Sequence, residues 1–212
     1  GDWPGRTLVG FARTSLALGK PTSKRFDEVG FGLLGNQRRD GAFKNGKPMA
    51  PERTGYAYSN GYWFGNARGL LGLIWAHKYR PQQEAYLEAA KRLGDHFIAN
   101  YFAEGQLGAP SSFWWVGTEA MVELYGITED RKYLDFGVRI AESVPDVNPI
   151  SQHTHSYLLA IRGIVNICAH LQAEEEASVR RALLAKALKQ HEYFENHVMW
   201  PCLLYTSDAA DE

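Results

Sequence analysis

Two cysteines in 212 residues are too few for a disulfide framework or for a zinc cluster of their own. A formal net charge of -1 supplies no long-range pull toward a phosphate backbone or an anionic lipid surface. Nucleic acid is therefore not an expected partner. Nor is a membrane, because apolar stretches such as residues 69–76 fall far short of the ~20 residues that span a bilayer. Sustained alternation of β-branched residues is missing too, which removes the usual signature of strands. The sequence has no initiator Met and no signal-peptide pattern, and Gly1-Asp2-Trp3 reads as mid-protein sequence. The compartment stays open on these grounds.

What the chain does have is 45% hydrophobic residues, 13% aromatic residues and helical periodicity almost throughout. Helices are expected over 6–19, 26–37, 63–79, 82–101, 113–125, 130–144, 151–171 and 173–197. The first ends at Gly19 before Pro21, and that of 82–101 begins just after Pro81. Residues 36–62, rich in Gly, Pro, Arg and Tyr, read as a long loop of the kind that carries function in compact domains. A repeat underlies the pattern. Tyr86-Leu87-Glu88 with Arg92-Leu93 recurs 47 positions later as Tyr133-Leu134-Asp135 with Arg139-Ile140. That period fits a helical hairpin stacked on its neighbours, and eight helices make four such hairpins. The fold class is all-α. Solenoids and closed (α/α) toroids share this unit, and the aromatic, glycine-rich loops favour a toroid, here an incomplete one over 1–201.

The last residues, 202–212, match the translation of a transposase-library sequencing adapter residue by residue. They are expected to be a non-native tail, with the natural chain continuing past Pro201, so Cys202 enters no chemical argument.

Aromatic residues cluster at Tyr56, Tyr58, Tyr62, Trp63 and Phe64, and again at Phe113, Trp114 and Trp115. Flat apolar walls beside polar forks suit the faces and hydroxyls of sugar rings, although core packing explains single rings equally well. The Asp40-Gly41 pair in Asn36-Gln37-Arg38-Arg39-Asp40-Gly41-Ala42-Phe43 supplies a tight turn. His153 and His155 diverge on a helix and do not share one metal; Ser151 can cap that helix, and a cleft-facing His155 can bind substrate hydroxyls. Glu119 and Glu123 share a face, as solvated helix carboxylates commonly do. Asp135, Glu142 and residues 174–176 read as solvated charge. Cys168 reads as a small buried thiol. His191, Glu192, Glu195 and His197 miss the His-Glu-x-x-His metal pattern.

Several of these motifs together resemble the β-L-arabinofuranosidase family of glycoside hydrolases (family 127 and its relatives). Gly1-Asp2-Trp3-Pro4-Gly5-Arg6-Thr7-Leu8 is similar to the family's Trp-Glu-Gly-Arg-Thr-Leu-Leu opening. The residues from Gln37 to Phe43 are similar to its Gln-x-x-Asp-Gly-Tyr turn. Gly65-Asn66 through Leu73 stands where the family has Gly-His followed by Leu-Leu-x-Gly-Leu. Glu123-Leu124-Tyr125 through Tyr133-Leu134 resembles its Leu-Tyr-x-x-Thr-Gly-Asp-x-x-Tyr-Leu hairpin, and Gln152 through Gly163 its Gln-Thr-His-x-x-Leu-x-x-Leu-Arg-Gly segment. The chain departs at Pro4, where the family has Glu, and at Asn66 and Trp114, where it has His. His155 matches a substrate-contact histidine in place. This pattern is that of a divergent branch.

The resemblance implies a carbohydrate-active hydrolase working on side chains of plant or microbial polysaccharides, β-L-arabinofuranosides among them. It also implies a retaining mechanism with a cysteine nucleophile held near zinc, the metal bound by further cysteines and a glutamate, all of them downstream of Pro201 and none of them Cys168. The stretch 1–201 is then expected to hold no metal or cofactor itself and to be inactive alone. The expected substrate-binding residues are Asn66, Trp114, Glu119 and His155, with Trp3, Arg6 and Tyr58 behind them. Two other readings stay open. An unsaturated-uronyl hydrolase or sugar epimerase of the same fold would make Asp40, Glu119 or His155 catalytic. A non-catalytic helical-repeat scaffold would bind protein on its concave face. The oligomeric state is not legible.

Overall fold

A computed structural model describes residues 1–43, 60–102, 115–145 and 154–197. They form eight α-helices: α1 (Asp2–Leu18), α2 (Arg25–Gly35), α3 (Asn60–Tyr79), α4 (Glu84–Asn100), α5 (Gly117–Thr128), α6 (Arg131–Ser143), α7 (Thr154–His170) and α8 (Ala177–His197). A short 3-10 turn, Glu174–Glu176, precedes α8. Among the described residues the only β pairing is an isolated bridge between Gln37 and Phe43. The helix ends follow local chemistry. Gly19 takes a left-handed conformation (φ 61°) and donates to the Leu16 carbonyl, while Lys20 donates to Ser15, closing α1 before Pro21. Asp130 caps α6 by accepting from the Lys132 N–H at 3.2 Å.

Some helix starts differ from the periodicity. The helix expected from 6 begins at Asp2, where Pro4 sits in the first turn and needs no N–H partner. The one expected from 173 begins as a 3-10 turn, because Glu176 reaches back to the Ala173 N–H and holds the chain there. The segment expected as loop to Tyr62 gives way to helix at Asn60. Residues 44–59, 103–114, 146–153 and 198–212, with Tyr58, Trp114, Ser151, His153 and Cys202 among them, lie outside the described residues.

The chain divides into two compact units, Gly1–Pro110 with Glu123–Glu129, and Ser111–Val122 with Asp130–Glu212. In the first, α3 and α4 form an antiparallel hairpin: Trp63 near the start of α3 packs edge-on against Phe97 and Tyr101 at the end of α4, each at 4.9 Å. Helices two apart run parallel. Gly5 of α1 abuts Arg68 and Gly69 of α3, and Arg13 further along α1 stacks on Trp75 at 4.4 Å. In the same sense α2 follows α4, since Gly30 abuts Tyr86, whereas Gln37 beyond α2 bonds to the Ala89 carbonyl and to Arg92. This gives two layers of helices, α1 with α3 and α2 with α4, made of side-by-side hairpins.

The second unit repeats the plan. Helices α7 and α8 are antiparallel: the Tyr157 hydroxyl near the start of α7 donates to the Gln190 carbonyl, and Cys168 near its end lies against the Arg180 carbonyl. Helices α6 and α8 run together, joined by side chains. Arg131 at the start of α6 pairs with Glu176, and Lys186 of α8 donates to the Ala141, Glu142 and Val144 carbonyls at the end of α6. The repeat seen in the sequence is structural. Tyr86 and Tyr133 are both fully buried, as are Leu93 and Ile140, at matching positions of α4 and α6.

Burial separates the layers. Every residue from Tyr62 to Ile74 in α3 is buried, as is every residue from Trp115 to Val122 leading into and through the first half of α5. A helix apolar on all sides must be covered on all sides. By contrast α4 and α6 are amphipathic, burying Tyr86, Leu93 and Phe97 in one case and Tyr133, Phe136 and Ile140 in the other.

Candidate functional site

In the first unit a cavity of about 570 Å³ opens where α1 starts and α2 ends. Pro4, Val29, Leu33 and Phe43 supply apolar wall, and Asn36, Gln37 and Arg38 edge it. Its size lies in the ordinary range for small-molecule sites, roughly 300–1,000 Å³. The loop that edges it is held from behind. Gly41 adopts a positive φ of 87°, which lets the chain turn against the Arg92 carbonyl. The Gln37 amide donates to the Gly41 and Ala89 carbonyls and accepts from Arg92. Arg38 pairs with Asp40 at 3.0 Å, both half-exposed, and Asp40 also accepts from the Ala42 N–H.

Asn66, expected in the cleft, is fully buried instead. Its Oδ1 accepts from the Phe43 N–H at 2.7 Å, and its Nδ2 donates to the Phe43 and Tyr62 carbonyls at 3.3 and 2.9 Å. With its amide engaged on both sides, Asn66 acts on the cavity through Phe43, as the pin that fixes the wall. Trp3 is 79% exposed in the first turn of α1, beside the cavity-lining Pro4. Arg6, also exposed, pairs with Asp2 at 2.7 Å and lies 5.4 Å from the Phe64 ring centre. The structure thus gathers Trp3, Arg6 and Asn66 in the N-terminal turns of two parallel helices.

Sequence reasoning missed His96. It is buried on α4, its Nε2 is 2.8 Å from the Tyr62 hydroxyl, and its ring packs against Trp63. Its position three residues past Leu93 on the apolar face was the available signal. Burial lowers its pKa below the ordinary 6.5 and Arg38 lowers it further, while Asp40 opposes both. A lowered folded pKa means that the unfolded chain takes up the proton first. The contribution of His96 to stability is therefore whole above pH 6.5 and is lost as pH falls through the window below it, with a slope of at most ~1.4 kcal/mol per pH unit for one proton. Urea unfolding from pH 7.5 to 5 should show that loss, and His96→Gln should flatten it. An unchanged pH profile in the variant would remove His96 as its source.

In the second unit, Glu119 and Arg162 form the main polar feature. Glu119 is 1% exposed, so the expectation of a solvated carboxylate face fails: α7 covers it, with Gly163 set against Thr118 and the Glu119 backbone. Its Oε1 accepts from Arg162 at 2.5 Å, while Oε2 is buried and takes no hydrogen bond from a described residue. Such an orphan acceptor costs roughly 1–3 kcal/mol and has capacity for a donor. Arg162 itself is half-exposed, on the face of α7 that also carries His155, which is exposed and directly follows the first described residue of the helix. Arg162 was also missed, although its seven-residue spacing from His155 places both on one face. In the first unit, Glu123 is not solvated either; it bonds to Lys78 at 2.5 Å. Glu176 is likewise tied down, by Arg131 and by the Ala173 N–H. Asp135 is exposed and pairs with Arg131.

Cys168 is buried, and burial pushes its thiol pKa up, which makes it a poor nucleophile. Among the described residues no three His, Cys, Asp or Glu side chains are placed to hold a metal ion. No described helix is long and apolar enough to cross a membrane. No protein-family model, no curated protein and no solved structure matches the chain.

Proposed function

We propose that this chain is the substrate-holding part of a carbohydrate-active glycoside hydrolase whose helical hairpins close into an (α/α) toroid. The observation that carries the reading is the cavity where α1 starts and α2 ends, edged by the loop that follows α2. Apolar Pro4, Val29 and Leu33 suit the face of a sugar ring, and Asn36 and Arg38 offer donors and an acceptor to its hydroxyls. Asp40 offsets the charge of Arg38, which favours a neutral polyol over a free anion. The proposed ligand is therefore a neutral pentose or hexose unit, with β-L-arabinofuranosides the first to test.

Titration with arabinosides and with hexose oligosaccharides, followed by calorimetry and by amide-shift mapping, addresses this directly. Shifts should centre on 29–38, and Asn36→Ala and Arg38→Ala should each weaken binding about tenfold, the equivalent of one good hydrogen bond lost. Binding that ignores both substitutions, or no binding to any neutral sugar, would sink the reading.

Glu119 favours one alternative of the same fold, an unsaturated-uronyl hydrolase or sugar epimerase, because such enzymes keep their acid–base group within the toroid. Its buried carboxylate has one oxygen open to a donor among the described residues. Turnover of an unsaturated uronide, read by loss of its ultraviolet absorbance and abolished in Glu119→Gln, would move the assignment there.

A further inference from the structure

Helix α2 holds three glycines, Gly30, Gly32 and Gly35, within eleven residues, although glycine is the poorest helix former after proline. A fold needs glycine inside a helix for two local reasons, a left-handed backbone or a neighbour too close for a Cβ. Gly30 has the second, since a Cβ there would run into the Tyr86 hydroxyl. Gly32 and Gly35 have neither. Both keep a negative φ within the helix, and a Cβ at either would meet no described atom within 4 Å. What lies in front of them is the cavity, which both line. On a helix the surface neighbours of a residue are those three and four places away. Three of the four neighbours of Gly32, namely Val29, Gly35 and Asn36, line the cavity as well. Gly32 is thus at the centre of the wall that α2 contributes, and Gly35 extends the bare backbone beside it. Gly10 of α1 has equally open surroundings but no place in the cavity, which makes it a control.

We infer that Gly32 and Gly35 are specificity-determining residues of this cavity, a floor without side chains on which a sugar ring lies flat against the backbone of α2. The inference rests on the sugar-binding reading above. Glycine in proteins also serves where a ligand must approach the backbone closely, and that use remains once strain and packing are removed. Val29 and Asn36, three before and four after Gly32, then stand on either side of the ring, one apolar and one offering a donor and an acceptor. The ligand class narrows accordingly. A ring with one face of C–H groups fits, and a ring with bulky substituents standing out from both faces does not.

Calorimetry of the 212-residue chain with methyl β-L-arabinofuranoside and methyl β-D-galactopyranoside, beside thermal melts, tests this. Gly32→Ala should weaken binding of whichever glycoside the parent takes by about tenfold or more, since one methylene in a pocket is worth roughly 10–200-fold. Gly35→Ala should act in the same direction, and Gly32→Leu should abolish binding. Stability should move the opposite way. Gly32→Ala should raise the melting midpoint by roughly 1–4 °C, because alanine favours the helix and meets nothing. Gly10→Ala should raise it alike and leave binding unchanged. A parent that binds neither glycoside removes the functional reading and this inference with it. A parent that binds, with Gly32→Ala binding as tightly, overturns the inference alone and leaves the functional reading standing. A Gly32→Ala chain that melts lower than the parent overturns it too, because the glycine would then serve the fold.

Discussion

Gly5→Ala should destabilise the chain by about 1–3 kcal/mol, the usual range for forcing atoms into a filled core. A methyl group at that position would run into the Arg68 carbonyl and the Gly69 nitrogen, both backbone atoms of α3. Backbone in the middle of a buried helix has no rotamer with which to yield, so α1 and α3 must separate instead. The partner position behaves alike, because a Cβ at Gly72 would sit 2.5 Å from the Gly5 Cα. Against the clash stands helix propensity, which favours Ala over Gly by roughly 0.8–1.0 kcal/mol in a helix interior. Gly10→Ala measures that opposing effect by itself. It lies on the same helix with nothing within 4 Å of its Cβ, and it should gain about 0.5–1 kcal/mol. Urea denaturation of the two variants side by side decides the matter. If Gly5→Ala proves as stable as Gly10→Ala, the close packing of α1 on α3 is wrong.

Arg162→Ala should cost about 2–3 kcal/mol. Removing one partner of a buried ion pair commonly costs 3–5 kcal/mol, because the other charge is left without compensation, and the half-exposure of Arg162 reduces this by roughly a third. Glu119→Gln should cost less, about 1–2 kcal/mol, because it weakens one charge-assisted hydrogen bond but strands no charge. The decisive measurement is the double variant. With Glu119→Gln already present, Arg162→Ala has no buried carboxylate to expose, so the two losses should sum to clearly more than the double variant shows. Strictly additive losses would mean that Glu119 draws its compensation from elsewhere, and that the Arg162 contact is incidental to the fold.

These two predictions concern features with opposite visibility in the sequence. The glycines of α1 and α3 were in view as Gly1, Gly5, Gly65, Gly69 and Gly72, spaced by three and four. Nothing local says that two such stripes face each other, because that depends on which helices become neighbours. Glu119 shows the same limit more sharply. Its four-residue spacing from Glu123 reads as a solvated face, and one helix alone would make it so. Packing α7 over Thr118 and Glu119 reverses the environment, and Arg162, 43 positions away, supplies the countercharge. Asn66 was recognisable as a polar residue in an apolar helix, but its partners at Phe43 belong to a loop that folds back onto α3. His96 falls on the buried face of α4 by simple counting, and only the arrival of Tyr62 from α3 gives its ring a partner.

The sequence by itself determined the all-helical class, the hairpin unit, its 47-residue recurrence and most helix ends, because each depends on periodicity and capping within a few neighbouring residues. Only the tertiary structure decided which helices run side by side, which carboxylate is buried, where the cavity opens and which faces stay apolar and exposed. Those are properties of pairs of distant segments. Their energies come from area covered and charge desolvated when the segments meet, and no local pattern encodes them.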